Sequence, residues 1–216
     1  VSYQIRQLEK SAKPSFVTLM TKAFEHDPLF DYLFANSAYN RRAKEEFVSF
    51  IFDKSSILSG EEVWGIFKND ILCGAYVVEK RHHVKSWKGK FRNISELMRL
   101  TRRMLRFSFR LPFRILLRVN NYMRLTRLPA PATAYYYLIM IGVDANIQGK
   151  GVGNRLLHHL FAAMHADEKS RGIALDTENR KNIHLYKKWG FTLNRETNIG
   201  NLKVYCMTYT KEDNGS

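Results

Sequence analysis

The run Gln148-Gly149-Lys150-Gly151-Val152-Gly153 constrains this chain more than any other stretch. It follows a strongly β-prone run, Tyr135–Val143. It precedes Asn154–Ala166, whose Leu156, Leu157, Leu160, Phe161 and Met164 recur on one helical face. Glycines between a strand and a helix let backbone N–H groups come close to an anion, and the helix N-terminus adds a partial positive charge. The physics is that of a phosphate cradle. It is not a Walker A loop, because the Lys-Ser/Thr pair is missing, and the glycine spacing is not that of a dinucleotide fingerprint. Glycines alone leave open a loop that only turns the chain.

The surrounding pattern is mixed α/β. Tyr3–Leu8 alternates as a strand; Pro14 suits the first turn of a helix carrying Phe16, Leu19, Met20, Ala23 and Phe24 at helical spacing. Asp27-Pro28 punctuates it, a short aromatic helix follows, and Arg41–Leu58 is amphipathic. Glu62–Lys68 and Ile71–Lys80 read as strands joined by a tight Asn69-Asp70 turn, the second apolar enough to be central in a sheet. After the glycine loop come a strand at Ile173–Thr177, a helix at Asn182–Trp189 closed by Gly190, and strands at Phe191–Arg195 and Leu202–Thr210. No repeat or composition break marks a second domain, so residues 1–216 read as one.

Charge adds a second feature. Thirty-five Lys and Arg against twenty Asp and Glu give a formal charge of +15, which attracts anions without saying which. Much of it lies in Val84–Arg127, where thirteen basic residues face one acid, Glu96, among apolar residues at roughly helical spacing. The expectation is one or two basic amphipathic helices broken at Pro112, forming a helical insertion over residues 84–134. Such a segment is a solvated flap, an anionic docking surface or a membrane-surface helix. Cys73 and Cys206 lie far apart in apolar segments, with no CxxC or Cys/His cluster, so a zinc site is not expected. His158, His159 and His165 lack an acidic partner for a metal. No apolar stretch is long enough to span a bilayer and no signal-peptide core is present, so a cytoplasmic location is expected.

Val143-Asp144-Ala145-Asn146-Ile147-Gln148-Gly149-Lys150-Gly151-Val152-Gly153 resembles motif A of the GNAT acetyltransferases, with its Gln/Arg-x-x-Gly-x-Gly/Ala core. Leu175-Asp176-Thr177, followed by Asn182-Ile183-His184-Leu185-Tyr186-Lys187-Lys188-Trp189-Gly190-Phe191, resembles motif B. The motifs stand in family order, and the likeness spans Tyr3 to Thr210. A closer similarity is to puromycin N-acetyltransferase-like members, with Ala145 in place of a common Pro. The resemblance implies the GNAT fold, a mostly antiparallel six- to seven-stranded sheet flanked by helices. It implies acetyl-CoA as co-substrate, with the pyrophosphate on the N–H groups of Gln148, Gly149, Lys150, Gly151, Val152, Gly153 and Asn154. The pantetheine arm would lie along the backbone of Ile141, Gly142 and Val143, with Asn182 hydrogen-bonding it.

By the same resemblance Tyr186 protonates the departing thiolate, a role that suits a phenol neutral at pH 7. A packed helix tyrosine is the plain alternative. Asp176 is the candidate general base, with Glu79, His82 and His83 as others, each equally readable as a polar strand end. The expected partner is a small-molecule amine, antibiotic-like or metabolic, attacked directly in a ternary complex without a metal. A protein or peptide amine is the alternative. A non-enzymatic basic module binding nucleic acid or an acidic membrane is a third, weaker alternative, since no recognised nucleic-acid motif is present. A homodimer is compatible with the sequence.

Overall fold

The computed structural model describes residues 2–34, 40–58, 60–80, 98, 101–102, 104–105, 109, 111–127 and 135–211. The apolar, β-branched runs become seven strands: β1 Tyr3–Gln7, β2 Glu61–Lys68, β3 Ile71–Lys80, β4 Tyr135–Val143, β5 Gly172–Thr177, β6 Thr192–Ile199 and β7 Leu202–Thr210. They form one sheet in the order β1-β2-β3-β4-β5-β7-β6. Only β4 and β5 pair in parallel; the other neighbours are antiparallel. β3 is central, as its near-continuous apolar run requires, with seven successive buried residues. Asn69 (φ 49°) and Asp70 (φ 59°) make the β2–β3 turn, where short polar side chains tolerate left-handed backbone.

Among the described residues six α-helices cover the sheet: α1 Lys13–Ala23, α2 Pro28–Phe34, α3 Asn40–Ser55, α4 Phe113–Arg127, α5 Val152–Ala166 and α6 Arg180–Lys188. Helices α1 to α4 close over one face, where Phe16, Met20, Phe30, Phe52 and Ile115 pack against Val63, Ala75, Val77 and Met140. Helices α5 and α6 cover the other, where Leu156, Leu157, Leu160 and Tyr186 meet Tyr76, Leu138, Ile173 and Leu175. Within the basic region, α4 starts directly after Pro112, as the sequence implies; of residues 81–110 those described (98, 101–102, 104–105 and 109) are helical, in keeping with the expected earlier helix, and the rest of that expectation lies outside the described residues. β6 runs four residues past the expected Arg195, because it pairs with β7 through to Ile199↔Leu202.

The site is placed by an irregularity in β4. Val77 pairs with Met140 and Val78 with Leu138, leaving Ile139 as an extra residue. A bulge of this kind shifts which residues face which layer. Tyr136 and Leu138 face α5 and α6, whereas beyond Ile139 it is Ile141 and Val143 that do so, and Met140 turns to the other core. Gly142 then faces α1, where a Cβ would come within 2.9 Å of Met20 Sδ and 3.1 Å of Ala23 Cβ. Helix α5, which carries the glycine loop, is anchored by side chains such as Leu156 and Leu160, both fully buried. Leu160→Ala should therefore cost about 2–5 kcal/mol of unfolding free energy, read from the urea midpoint at unchanged slope.

Candidate functional site

The parallel pairing of β4 with β5 ends at Leu138↔Leu175, although β4 continues to Val143 and β5 to Thr177. The two strands part at the bulge. From Ile139 onward the β5-side edge of β4 has no strand partner, so its N–H and C=O groups face a wedge-shaped gap. Ile141, Gly142 and Val143, the residues expected to hold the pantetheine arm, form this edge.

The glycine loop stands at the mouth of the wedge. Asp144 turns the chain there: its N–H bonds to Cys73 O at 2.9 Å and its carboxylate accepts the N–H of Asn146 at 2.8 Å. Gly149 (φ 79°) and Gly151 (φ 76°) adopt left-handed backbone, and a Cβ on either would project into open space. In α5 the first N–H to find a backbone acceptor is that of Arg155, on Gly151 O at 3.1 Å. The N–H groups of Val152, Gly153 and Asn154 are left pointing outward at the helix start. A cavity of about 300 Å³ lies over them, lined by Val143, Ile147, Gln148, Gly149, Asn154 and Leu185 among others. Gln148 Nε2 donates to Val143 O at 3.4 Å and Lys150 Nζ to Asn146 O at 3.4 Å, so both side chains brace the loop. Asn182 lies beyond β5 on α6, its Nδ2 donating to Thr177 Oγ1 at 3.2 Å.

Tyr186 projects from α6 into the core beside Phe191, with ring centroids 5.5 Å apart. Only 6% of it is exposed, and among the described residues its hydroxyl has no hydrogen-bond partner. Burial pushes its phenol well above the ordinary value, and the carboxylates of Glu178, Asp176 and Asp27 push it the same way. The phenol therefore sits within electrostatic reach of three carboxylates. Asp176 and Glu178, two residues apart at the end of β5, both accept from the Tyr122 hydroxyl of α4. Glu178 is held well above the usual glutamate range by burial, then by Asp176 and Asp27. Asp27, raised by burial, closes the group from the start of α2, where it accepts the N–H of Leu29 at 2.9 Å.

The structure thus brings Tyr186 and Asp176 together and adds Glu178, Tyr122 and Asp27, which the sequence reading missed. For Glu178 a signal was available: residues i and i+2 leave an extended strand on the same side. Nothing in the local sequence marks Tyr122 or Asp27. Of the other candidate bases, Glu79 lies on β3 opposite Tyr137, on the far side of β4 from β5, and His82 and His83 fall outside the described residues. The histidines of α5 pack against rings: His159 shares a 2.8 Å hydrogen bond with Tyr76 and stacks near Trp64, and His158 meets Trp189. Among the described residues no three His, Cys, Asp or Glu side chains are grouped as a metal site would need.

Residues 118–193 match the family model of the acetyltransferase (GNAT) domain, a stretch running from α4 through β4, the loop, α5 and β5 into β6. No curated protein sequence matches. Solved structures share the fold at low identity. Histone acetyltransferase HPA2 and related acetyltransferase from Corynebacterium glutamicum is 15% identical with a TM-score of 0.65, over 96% of each chain. The ribosomal-protein-S18-alanine N-acetyltransferase from Escherichia coli is 13% identical with a TM-score of 0.54, over 100% of this chain and 99% of its own. The PaiA N-acetyltransferase from Thermoplasma acidophilum, in complex with coenzyme A, is 13% identical with a TM-score of 0.56, over 98% and 100%.

The raised carboxyl of Glu178 carries a stability signature. Its folded pKa exceeds its unfolded one, so the folded state binds the extra proton and loses stability as pH rises from the ordinary glutamate value through the folded one. Glu178→Gln, which keeps the shape and a Tyr122 acceptor, removes that loss. Thermal melts across pH should show the variant matching wild type in acid and exceeding it progressively toward neutral pH.

Proposed function

We propose that this chain transfers the acetyl group of acetyl-CoA to a primary amine of a small molecule, by direct attack in a ternary complex. The observation that carries this reading is the parted β4–β5 pair, with an anion cradle at its mouth and a buried phenol facing carboxylates within. Acetyl-CoA supplies an activated thioester. The pyrophosphate suits the loop Gln148 to Asn154, where the outward N–H groups of Val152, Gly153 and Asn154 offer donors at a helix N-terminus whose first turn holds no acidic residue. The unpaired edge at Ile141–Val143 suits the amide-bearing pantetheine arm, which can hydrogen-bond there as a missing strand would. Asn182, at the start of α6, is placed to bond the same arm.

The residues divide the proton work. An ammonium must lose a proton before its nitrogen can attack. The Asp176–Glu178 pair takes that proton, and of the two Glu178 is better matched, since its raised carboxyl is a stronger base near neutral pH. A backbone N–H near Val143 stabilises the oxyanion as the carbonyl turns tetrahedral. As the C–S bond breaks, Tyr186 gives its proton to the departing thiolate; its raised phenol keeps that proton until a strong base forms beside it.

The carboxylates also speak to the acceptor. They lie under Tyr122 of α4 and beside α2 rather than in an open groove. Enclosed acids select a compact, positively charged amine. The likeness of the second half of the chain to puromycin N-acetyltransferase-like members gives the same class of acceptor.

Tyr186→Phe should lower kcat by about 10²–10⁴-fold while acetyl-CoA still binds. An unchanged kcat would remove the phenol from the mechanism. In the pH–rate profile Glu178→Gln should lose the acid limb, whereas Asp176→Asn should move it to lower pH by removing a neighbouring negative charge. Thiol release with a panel of small amines and acidic peptides tests the acceptor: small cationic amines should show the higher kcat/KM, and preference for peptides would overturn the small-molecule assignment.

A further inference from the structure

Helix α4 has two unlike faces. Ile115 and Thr126 are buried, and Leu116 and Val119 pack against the core. Arg118 reaches back to cap the end of α2, donating to Tyr32 O at 2.8 Å. On the opposite face Phe113 and Leu117, one turn apart, are 70% and 51% exposed, with Arg114 and Arg124 exposed alongside. This is not scattered surface apolarity. Of the ten large hydrophobic side chains exposed among the described residues, eight lie between Met98 and Leu125. The same stretch, residues 98–127, contains nine arginines and no acidic residue.

We propose that this exposed face of α4 docks the protein on an anionic bilayer surface, with Phe113 and Leu117 entering the headgroup layer and Arg114 and Arg124 meeting lipid phosphates. Two properties coincide here that few other partners reward together. Nucleic acid rewards the arginines but leaves exposed Phe, Leu and Met in water. An acidic protein surface likewise neutralises charge without covering a long apolar stripe. An anionic membrane does both, because its phosphates lie directly above an apolar layer. The exclusive use of Arg fits, since a guanidinium grips phosphate oxygens in pairs and is more weakly hydrated than an ammonium. No helix among the described residues is long and apolar enough to cross a membrane, so the helix lies on the surface. The docking face points away from Tyr122 and the carboxylates, and the proposal does not depend on the acetyl-transfer reading.

Cosedimentation of the full chain with vesicles tests this. Wild type should pellet with vesicles of equal parts phosphatidylglycerol and phosphatidylcholine, remain in solution with phosphatidylcholine alone, and be released by salt. Phe113→Ser/Leu117→Ser should abolish pelleting, and Arg114→Gln/Arg124→Gln should weaken partition by about fivefold for each arginine removed. All four side chains are exposed, so the fold should survive, and Ile71→Ser, which removes an equally exposed apolar group elsewhere, should change nothing. The proposal fails if wild type ignores anionic vesicles, binds neutral ones as well, or pellets regardless of either double substitution. It fails equally if duplex DNA or polyglutamate is bound in place of vesicles, because charge alone would then account for the segment.

Discussion

Everything at the candidate site depends on one broken pairing. β4 and β5 run in parallel for four residue pairs and then separate, because the extra residue at Ile139 bends β4 and reverses the alternation of its side chains. Had the strands stayed paired to their ends, the edge at Ile141–Val143 would be consumed by the sheet and the wedge would not exist. The cost is a row of unpaired backbone groups, which persists only where something else can pair with them. The two cores make the wedge rigid: α1 fits against β4 because Gly142 has no side chain, and α5 holds the loop through its buried leucines.

The same gap joins the two faces of the sheet. Tyr186 belongs to the layer under α5 and α6, whereas Asp176 and Glu178 bond to Tyr122 on the opposite side. Through an intact sheet these groups would be screened by backbone and packed side chains. Here the carboxylates raise the phenol, and burial raises both a carboxyl and the phenol together. A carboxyl raised above the usual glutamate range and a phenol that keeps its proton pair a base with an acid. The strongly positive chain thus holds a cluster of carboxylates.

Much of this was legible in the sequence. The glycine loop between a strand and a helix, the Asn69-Asp70 hairpin and the apolar run of β3 each have a local cause and appear where expected. Tyr186 and Asp176 were reached through motif resemblance. The bulge that parts β4 from β5 is not visible in the sequence, because Tyr-Tyr-Tyr-Leu-Ile-Met-Ile carries no alternation to break. Tyr122 and Asp27 were invisible for a different reason. They reach the site from helices 54 and 149 positions away from Asp176, and only tertiary packing brings them there. Glu178 lies two residues from Asp176 but outside the motif, so the resemblance does not mark it.

Acetyl-CoA binding requires the cradle at the mouth of the wedge, and calorimetric titration measures it directly. Wild type should bind saturably, one molecule per chain. Gly151→Glu places a side chain and a negative charge where the phosphates would sit, at a left-handed position that costs only about 1–2 kcal/mol of folding energy; a folded variant should not bind. Absence of binding by wild type, or equal binding by the variant, would contradict the assignment of the loop and the reaction built on it.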